Sequence, residues 1–199
     1  MQIQPSEPRR ILVTGGTSGL GMEIVKIFLA KGWQVTATGR NQVSFPQYAG
    51  QFSFVKADFS NLADVAQLGN QIACDSNGFD LVINNAGVLG FPGCVTTIDG
   101  LEYTFQVNFL AHLLLNEIII RNKKDPRPLK IIPVVSPVYR CCLPKYIQPL
   151  TGYRYGSFRS YTFSKFYLAL MCSYLPSRYP GIDVSVSGFN PGIFRSGIY

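Results

Sequence analysis

Residues Arg10–Thr14 (RILVT) form an apolar run that stops at Gly15-Gly16, and a helical pattern begins within six residues of its end. A strand turning into a helix through glycine is what most constrains this chain. The unbroken apolar run fits a strand buried on both faces. Over 20–30, Leu20, Ile24, Ile27 and Phe28 recur at i, i+4, i+7 and i+8, and Gly32 closes the helix that they mark. The unit repeats. Strand patterns over 33–38, 52–56, 80–84, 129–136 and 183–188 alternate with helical patterns over 61–73, 100–121 and 160–177. Asn61 stands as an N-cap, and no tight hairpin signal intervenes. Alternation of this kind predicts an α/β, doubly wound parallel sheet of Rossmann-like type, covered on both faces. No repeat or linker divides it, so the 199 residues read as a single domain, with 1–8 flexible.

Composition excludes several classes. With 47% hydrophobic and 15% charged residues, the chain is globular rather than disordered. The N-terminus lacks the apolar core of a secretory signal. The most apolar stretch, 109–120, is too short to span a bilayer and carries His112, Asn116 and Glu117; it reads as a buried helix. Five cysteines (Cys74, Cys94, Cys141, Cys142, Cys172) are odd in number and hold no C-x-x-C pair, so neither a disulfide framework nor a metal site is expected. A reducing, cytoplasmic setting is the simplest expectation. The net charge is +7, and no Asp or Glu lies between Asp125 and Asp183. That bias suits an anionic ligand, a lipid surface or nucleic acid, or is a solvated basic face; the last is the expectation, with no nucleic-acid partner.

The first strand runs into Thr14-Gly15-Gly16-Thr17-Ser18-Gly19-Leu20-Gly21. Glycine permits positive φ and lets backbone approach a phosphate, and the helix start offers free N–H groups and a positive dipole end. Position between strand and helix makes a dinucleotide pyrophosphate the expected ligand. NAD-preferring domains place an acid at the end of the second strand. Here that strand ends Thr38-Gly39-Arg40-Asn41, without a carboxylate. Arg40 either forks onto a 2′-phosphate or is a solvent-facing loop arginine; the first reading makes NADP(H) the expected cofactor.

Tyr161 and Lys165 lie at i, i+4 near the start of a predicted helix, on one face. A free phenol has a pKa of about 10, and a neighbouring ammonium is expected to lower it into a useful range for acid–base work. Alone, the spacing is also that of an ordinary amphipathic helix. Ser136, at the end of a strand, is expected at the carboxyl edge of the sheet, where doubly wound folds bind ligands and where its hydroxyl can serve a developing oxyanion. Asn108 falls on the apolar stripe of the long helix, and a buried amide there must find partners. The sole histidine, His112, has no acid or nucleophile motif around it, which disfavours a hydrolase.

Taken in order, T-G-x-x-x-G-x-G (Thr14 to Gly21), N-N-A-G (Asn84 to Gly87), Asn108, Ser136, Tyr161 with Lys165, and P-G-x-x-x-S (Pro191 to Ser196) resemble the short-chain dehydrogenase/reductase family over essentially the whole chain. The glycine spacing is that of its simpler oxidoreductases, not of the epimerase-like T-G-x-x-G-x-x-G. Residues 99–108 (DGLEYTFQVN) look most like the retinol-dehydrogenase-like branch, which handles lipophilic alcohols, aldehydes and ketones.

The resemblance implies Tyr161 as acid/base, and Lys165 as the group that binds the nicotinamide ribose and tunes it. It implies Ser136 as carbonyl-orienting, and Asn108 as the helix-distorting residue that orders a proton relay. Thr14, Gly15, Thr17, Ser18, Gly19, Leu20 and Gly21 would cradle the cofactor, Arg40 its 2′-phosphate, and Asn85, Ala86 and Gly87 its adenosine side. Asp58 resembles the adenine-contacting aspartate, and could equally cap the following turn. Pro191, Gly192 and Ser196 would approach the nicotinamide amide.

The pattern also departs from the family. Val135 replaces a serine, and Pro133 suggests a bulged strand that displaces Ser136. The interval between Ser136 and Tyr161, with Tyr139, Tyr146, Tyr153 and Tyr155, is either a substrate flap or a surface loop. The chain stops eight residues after Pro191, so the last family strand and substrate-covering region are expected to be missing, with the final strand left as an edge. The functional expectation is an NADP(H)-dependent carbonyl/alcohol oxidoreductase on a small lipophilic molecule. The alternative is a weakly active or inactive NADP(H)-binding regulatory or interaction protein. Membrane-surface contact and homo-oligomerisation are both compatible with the sequence.

Overall fold

The computed structural model describes residues 9–74, 77–89, 95–142 and 157–192. Six parallel strands, β1 (Arg10–Thr14), β2 (Gln34–Gly39), β3 (Phe52–Lys56), β4 (Leu81–Asn84), β5 (Leu129–Pro133) and β6 (Val184–Val186), form one sheet in the order β3-β2-β1-β4-β5-β6. The reversal of direction at β1 opens a crevice at the carboxyl ends of β1 and β4, the ligand position of doubly wound folds.

Two apolar faces account for the layers. Leu12, Val82, Leu129 and Ile131 point to one side and pack with α2 (Leu62–Ala73), α4 (Ala111–Arg121) and α5 (Ser157–Arg178) through Leu68, Leu115 and Leu168. Ile11, Val13, Val35, Ala37 and Ile83 point to the other, against Val25 and Leu29 of α1 (Gly19–Ala30). Both faces being covered explains why β1 is apolar throughout rather than alternating. Helix ends follow local chemistry. Gly32 takes φ 77° just past α1, and the Asn61 side chain accepts from Ala63 N at 3.0 Å to start α2.

The predicted helix over 100–121 is corrected. Gly100 (φ 74°) belongs to a turn. The helix starts at α3 (Tyr103–Phe105), where Glu102 caps with both carboxylate oxygens on Thr104 N (3.2 Å) and Phe105 N (2.7 Å). A widened π-helical turn, Gln106–Leu110, then separates α3 from α4. The predicted strand over 129–136 ends at Pro133, and the expected bulge is absent. Register against β4 runs unbroken to Asn84↔Pro133, and pairing with the edge resumes at Val134↔Phe189. The reason is parity. Even-numbered residues of this stretch donate toward β4 (Lys130 N to Asp80 O, Val134 N to Asn84 O) and odd-numbered ones toward β6 (Leu129 N to Asp183 O, Val135 N to Phe189 O). Pro133 therefore costs one rung with the edge strand and none with β4.

Of the basic residues, Arg127 is engaged by Asp125 at 2.9 Å and Asp80 at 3.3 Å. Among the described residues no helix is long and apolar enough to cross a membrane. Residues 1–8, Cys94, Ser196 and most of the expected flap, Tyr146, Tyr153 and Tyr155 included, lie outside the described residues; Tyr139 sits in a 3-10 turn, Pro137–Cys141.

Leu115 is fully buried between α4 and the sheet. Leu115→Ala is expected to cost about 2–5 kcal/mol of unfolding free energy in a denaturant titration; a change below about 1 kcal/mol would contradict this core assignment.

Candidate functional site

The glycine loop is shaped by close approaches that only glycine allows. Gly15 has φ 62°, and a Cβ on it would lie 2.9 Å from the Ala86 Cα. A Cβ on Gly21 would lie 2.2 Å from the Gly15 carbonyl oxygen. The side chain of Asn85 staples the loop, its Nδ2 donating to Thr14 O (3.0 Å) and Gly15 O (3.2 Å). The Thr14 hydroxyl accepts from Asn85 N (2.9 Å) and Ala86 N (3.0 Å), which locks the end of β1 to the end of β4. On the outer side, Gly19 (φ 49°) has open space where a Cβ would stand, and the Ser18 side chain does not cap α1. The first amides of α1 are thus offered outward beside a backbone with no Cβ in front of it, which fits a pyrophosphate. Thr17 packs against Gly39 at the end of β2.

The catalytic candidates meet at the same sheet edge. Ser136 has extended backbone directly after the β5 pairing ends. Its hydroxyl is close enough to the Tyr161 phenol to favour the phenolate. Lys165 Nζ stands 5.6 Å from the Tyr161 ring centroid and donates to Val134 O at 2.8 Å. Asn108 lies in the π-helical turn and is fully buried. Its carboxamide accepts from Val88 N (2.7 Å) and donates to Val88 O (2.9 Å) and Ser164 Oγ (3.0 Å). Ser164 Oγ in turn donates to Tyr161 O at 2.7 Å.

One expectation is corrected. Burial pushes the Tyr161 phenol above its ordinary pKa, and the nearby Ser136 hydroxyl only partly opposes this. The lysine does not lower it, because its own ammonium is buried, lowered to about 8 by desolvation and turned onto a carbonyl.

The remaining candidates are placed as follows. Arg40 is exposed at the end of β2, with no ion pair among the described residues. The Asp58 carboxylate accepts from Ser60 N (2.9 Å) and Ser60 Oγ (2.8 Å), so here it caps the turn. Gly87 sits against the Asn108 carboxamide. Pro191 and Gly192 follow β6; Gly192 has φ 76° and donates to Asn190 Oδ1 at 3.1 Å.

Sequence reasoning missed three participants. Ser164 and Glu102 carry no motif of their own. His112 stands four residues after Asn108 on the same apolar stripe, a spacing that places both on one face. Its ring lies between Asn108 O (3.0 Å from Nδ1) and Thr14 Oγ1 (2.9 Å from Nε2).

With this geometry in hand, similarity to known proteins is informative. The profile described as short chain dehydrogenase matches residues 9–199. Retinol dehydrogenase 14 of Mus musculus is 27% identical over 96% of this chain and 62% of its own length; this chain thus spans under two thirds of that relative. A short-chain dehydrogenase structure from Streptomyces avermitilis aligns with TM-score 0.76 at 18% identity, over 97% of this chain and 68% of the other. A 4-hydroxyisoleucine dehydrogenase complexed with NADH aligns with TM-score 0.71 at 22% identity (95% and 77% covered). Pseudomonas aeruginosa RhlG in an NADP complex does so with 0.71 at 23% (96% and 74%). At these identities the structures establish the fold.

The lysine gives a pH test. In the folded chain Lys165 releases its proton near 8, while the unfolded chain holds it to its ordinary 10.5. The unfolded state therefore binds more protons between these values, and stability rises with pH across that window. Lys165→Met has no such slope. Its stability advantage over the wild type is expected to narrow as pH climbs from about 8 to about 10; a gap that widens in urea titrations would contradict a desolvated ammonium.

Proposed function

Because the chain belongs to the short-chain dehydrogenase family, we propose that it is an NADP(H)-dependent oxidoreductase that interconverts a carbonyl and an alcohol on a small lipophilic molecule, with Tyr161 as the acid/base. The observation that carries this reading is the Tyr161 phenol with Lys165 Nζ 5.6 Å from its ring and Ser136 nearby, at the sheet edge where the glycine loop also opens.

The cofactor, when bound, supplies the hydride. Gly15 to Gly21 and the start of α1 would hold its pyrophosphate, and Arg40 its 2′-phosphate, with no acid at the end of β2 to repel it. Pro191, Gly192 and Ser196 would line the nicotinamide end, and Asn85 to Gly87 the adenosine side, with Asp58 near the adenine. The chain's own residues then do the following. Ser136 donates to the substrate oxygen and fixes its position. Tyr161 transfers a proton to that oxygen. Its raised pKa keeps the phenol protonated at neutral pH, the form that carbonyl reduction requires. Lys165 keeps a positive charge beside the phenol and would bind the nicotinamide ribose. Asn108 holds Val88 and Ser164, and through Ser164 the first turns of α5.

Support for a lipophilic substrate comes from the surroundings. Leu89 after β4, Phe189 after β6 and Phe158 at the start of α5 are exposed by 40, 48 and 63% around this edge. The similarity to retinol dehydrogenase 14 agrees with such a substrate class.

Two outcomes are expected. Oxidation of NADPH should follow addition of hydrophobic aldehydes, and Tyr161→Phe should reduce turnover about 100-fold or more while NADPH still binds. NADPH binding without turnover in the wild type would instead leave a dinucleotide-binding regulatory protein. In thermal-shift measurements NADPH should stabilise more than NADH, and Arg40→Ala should erase the difference; equal stabilisation of the wild type by NADH would overturn the role of Arg40.

A further inference from the structure

The only histidine of the chain is fully buried, at the point where the two halves of the site touch. Its bonds define its chemical state. The Asn108 carbonyl can only accept, so the His112 Nδ1 opposite it carries the hydrogen. Burial holds the pKa of the ring near 3, and the nearby positive charge of Lys165 adds to this. The ring is therefore neutral and Nε2 is a bare acceptor. The hydroxyl that faces it, Thr14 Oγ1, must be the donor. This leaves the Thr14 lone pairs for the two amides they receive, Asn85 N and Ala86 N. The same hydroxyl also lies 3.4 Å from Ile83 O, a longer contact than the 2.9 Å to Nε2, so its hydrogen is directed mainly at the ring. The path runs from the glycine loop through Thr14, His112 and Asn108 to Ser164 and the Tyr161 turn of α5.

We propose that His112 is a positioning residue: as the Nδ1–H tautomer it ties the phosphate-cradling end of β1 to the widened helical turn at Asn108, so that cofactor loop and catalytic helix are set as one unit. This role rests on the reading of the loop as a dinucleotide site. An ordinary core ring would fill the same volume without this function. The difference lies in the directed bonds to Asn108 O and Thr14 Oγ1, which an apolar ring of the same volume cannot make.

Three measurements on the full chain test it. Nitrogen-detected NMR of the single imidazole should show a neutral ring protonated on Nδ1 from about pH 5 to about pH 9, with the Nε2 signal shifting when NADPH is added. An Nε2–H ring, a titration in that range or no NADPH response in a chain that binds NADPH would overturn the proposal. His112→Phe keeps the ring and removes both bonds. It should raise the NADPH dissociation constant about tenfold, and His112→Gln, which offers one donor and one acceptor, should restore much of it. Thr14→Val should weaken binding, and adding His112→Phe to it should cause little further loss. A folded His112→Phe chain that binds NADPH as the wild type does would overturn the proposal. If that variant does not fold, the Thr14→Val and His112→Gln affinities decide, wild-type values in both contradicting the coupling. A wild-type chain that binds neither NADPH nor NADH would defeat the dinucleotide reading itself, and the tautomer measurement would still report on the network.

Discussion

At the carboxyl end of β1 one buried hydroxyl serves two amides and a ring nitrogen. Thr14 receives Asn85 N and Ala86 N and faces His112 Nε2 at 2.9 Å, with Ile83 O farther off at 3.4 Å. Buried polar groups carry a cost unless each finds a partner, so this point fixes several elements at once. It sets the spacing of β1 and β4 where the crevice opens, the path of the glycine loop that Asn85 staples, and the seating of the helix that contains Asn108. The apolar layers on both sides of the sheet supply the bulk of the burial. They do not by themselves determine where a phenol stands relative to a loop. The polar row does.

Much of this was readable before any coordinates. Periodicity located the strands and helices because a doubly covered parallel sheet makes its strands apolar throughout and its helices amphipathic. Strand β3 was read with its bounds intact, and Asn61 as a cap. The family resemblance brought Asn108, Ser136, Tyr161 and Lys165 into one group, and the structure brings these four together. What could not be read depends on direction and distance. Pro133 suggested a bulge because sequence does not reveal which neighbour an N–H faces; here the missing donor faces the edge strand. The helix was read as starting at Gly100, which put Glu102 inside it, although its carboxylate caps the first turn from outside. His112 was set aside because no motif surrounds it, and its partners are 98 and 4 residues away.

The electrostatics reverse a simple expectation. Proximity of a lysine and a tyrosine along a helix suggested a lowered phenol pKa. Depth in the protein works the other way on both groups, raising the tyrosine and lowering the lysine. Desolvation disfavours either charge, and the ammonium directs a hydrogen to Val134 O rather than toward the phenol oxygen. A protonated phenol is the form that the proposed proton transfer to a carbonyl oxygen needs. That state suits reduction of a carbonyl at neutral pH.

The account centres on a phenol and a glycine loop that share one ligand. The most direct measurement is a crystal structure of the chain with NADPH. The account predicts the pyrophosphate on the amides of Gly15 to Gly21 and the nicotinamide lying beside the Tyr161 hydroxyl. A dinucleotide bound elsewhere, or a Tyr161 hydroxyl turned away from the nicotinamide, would contradict it.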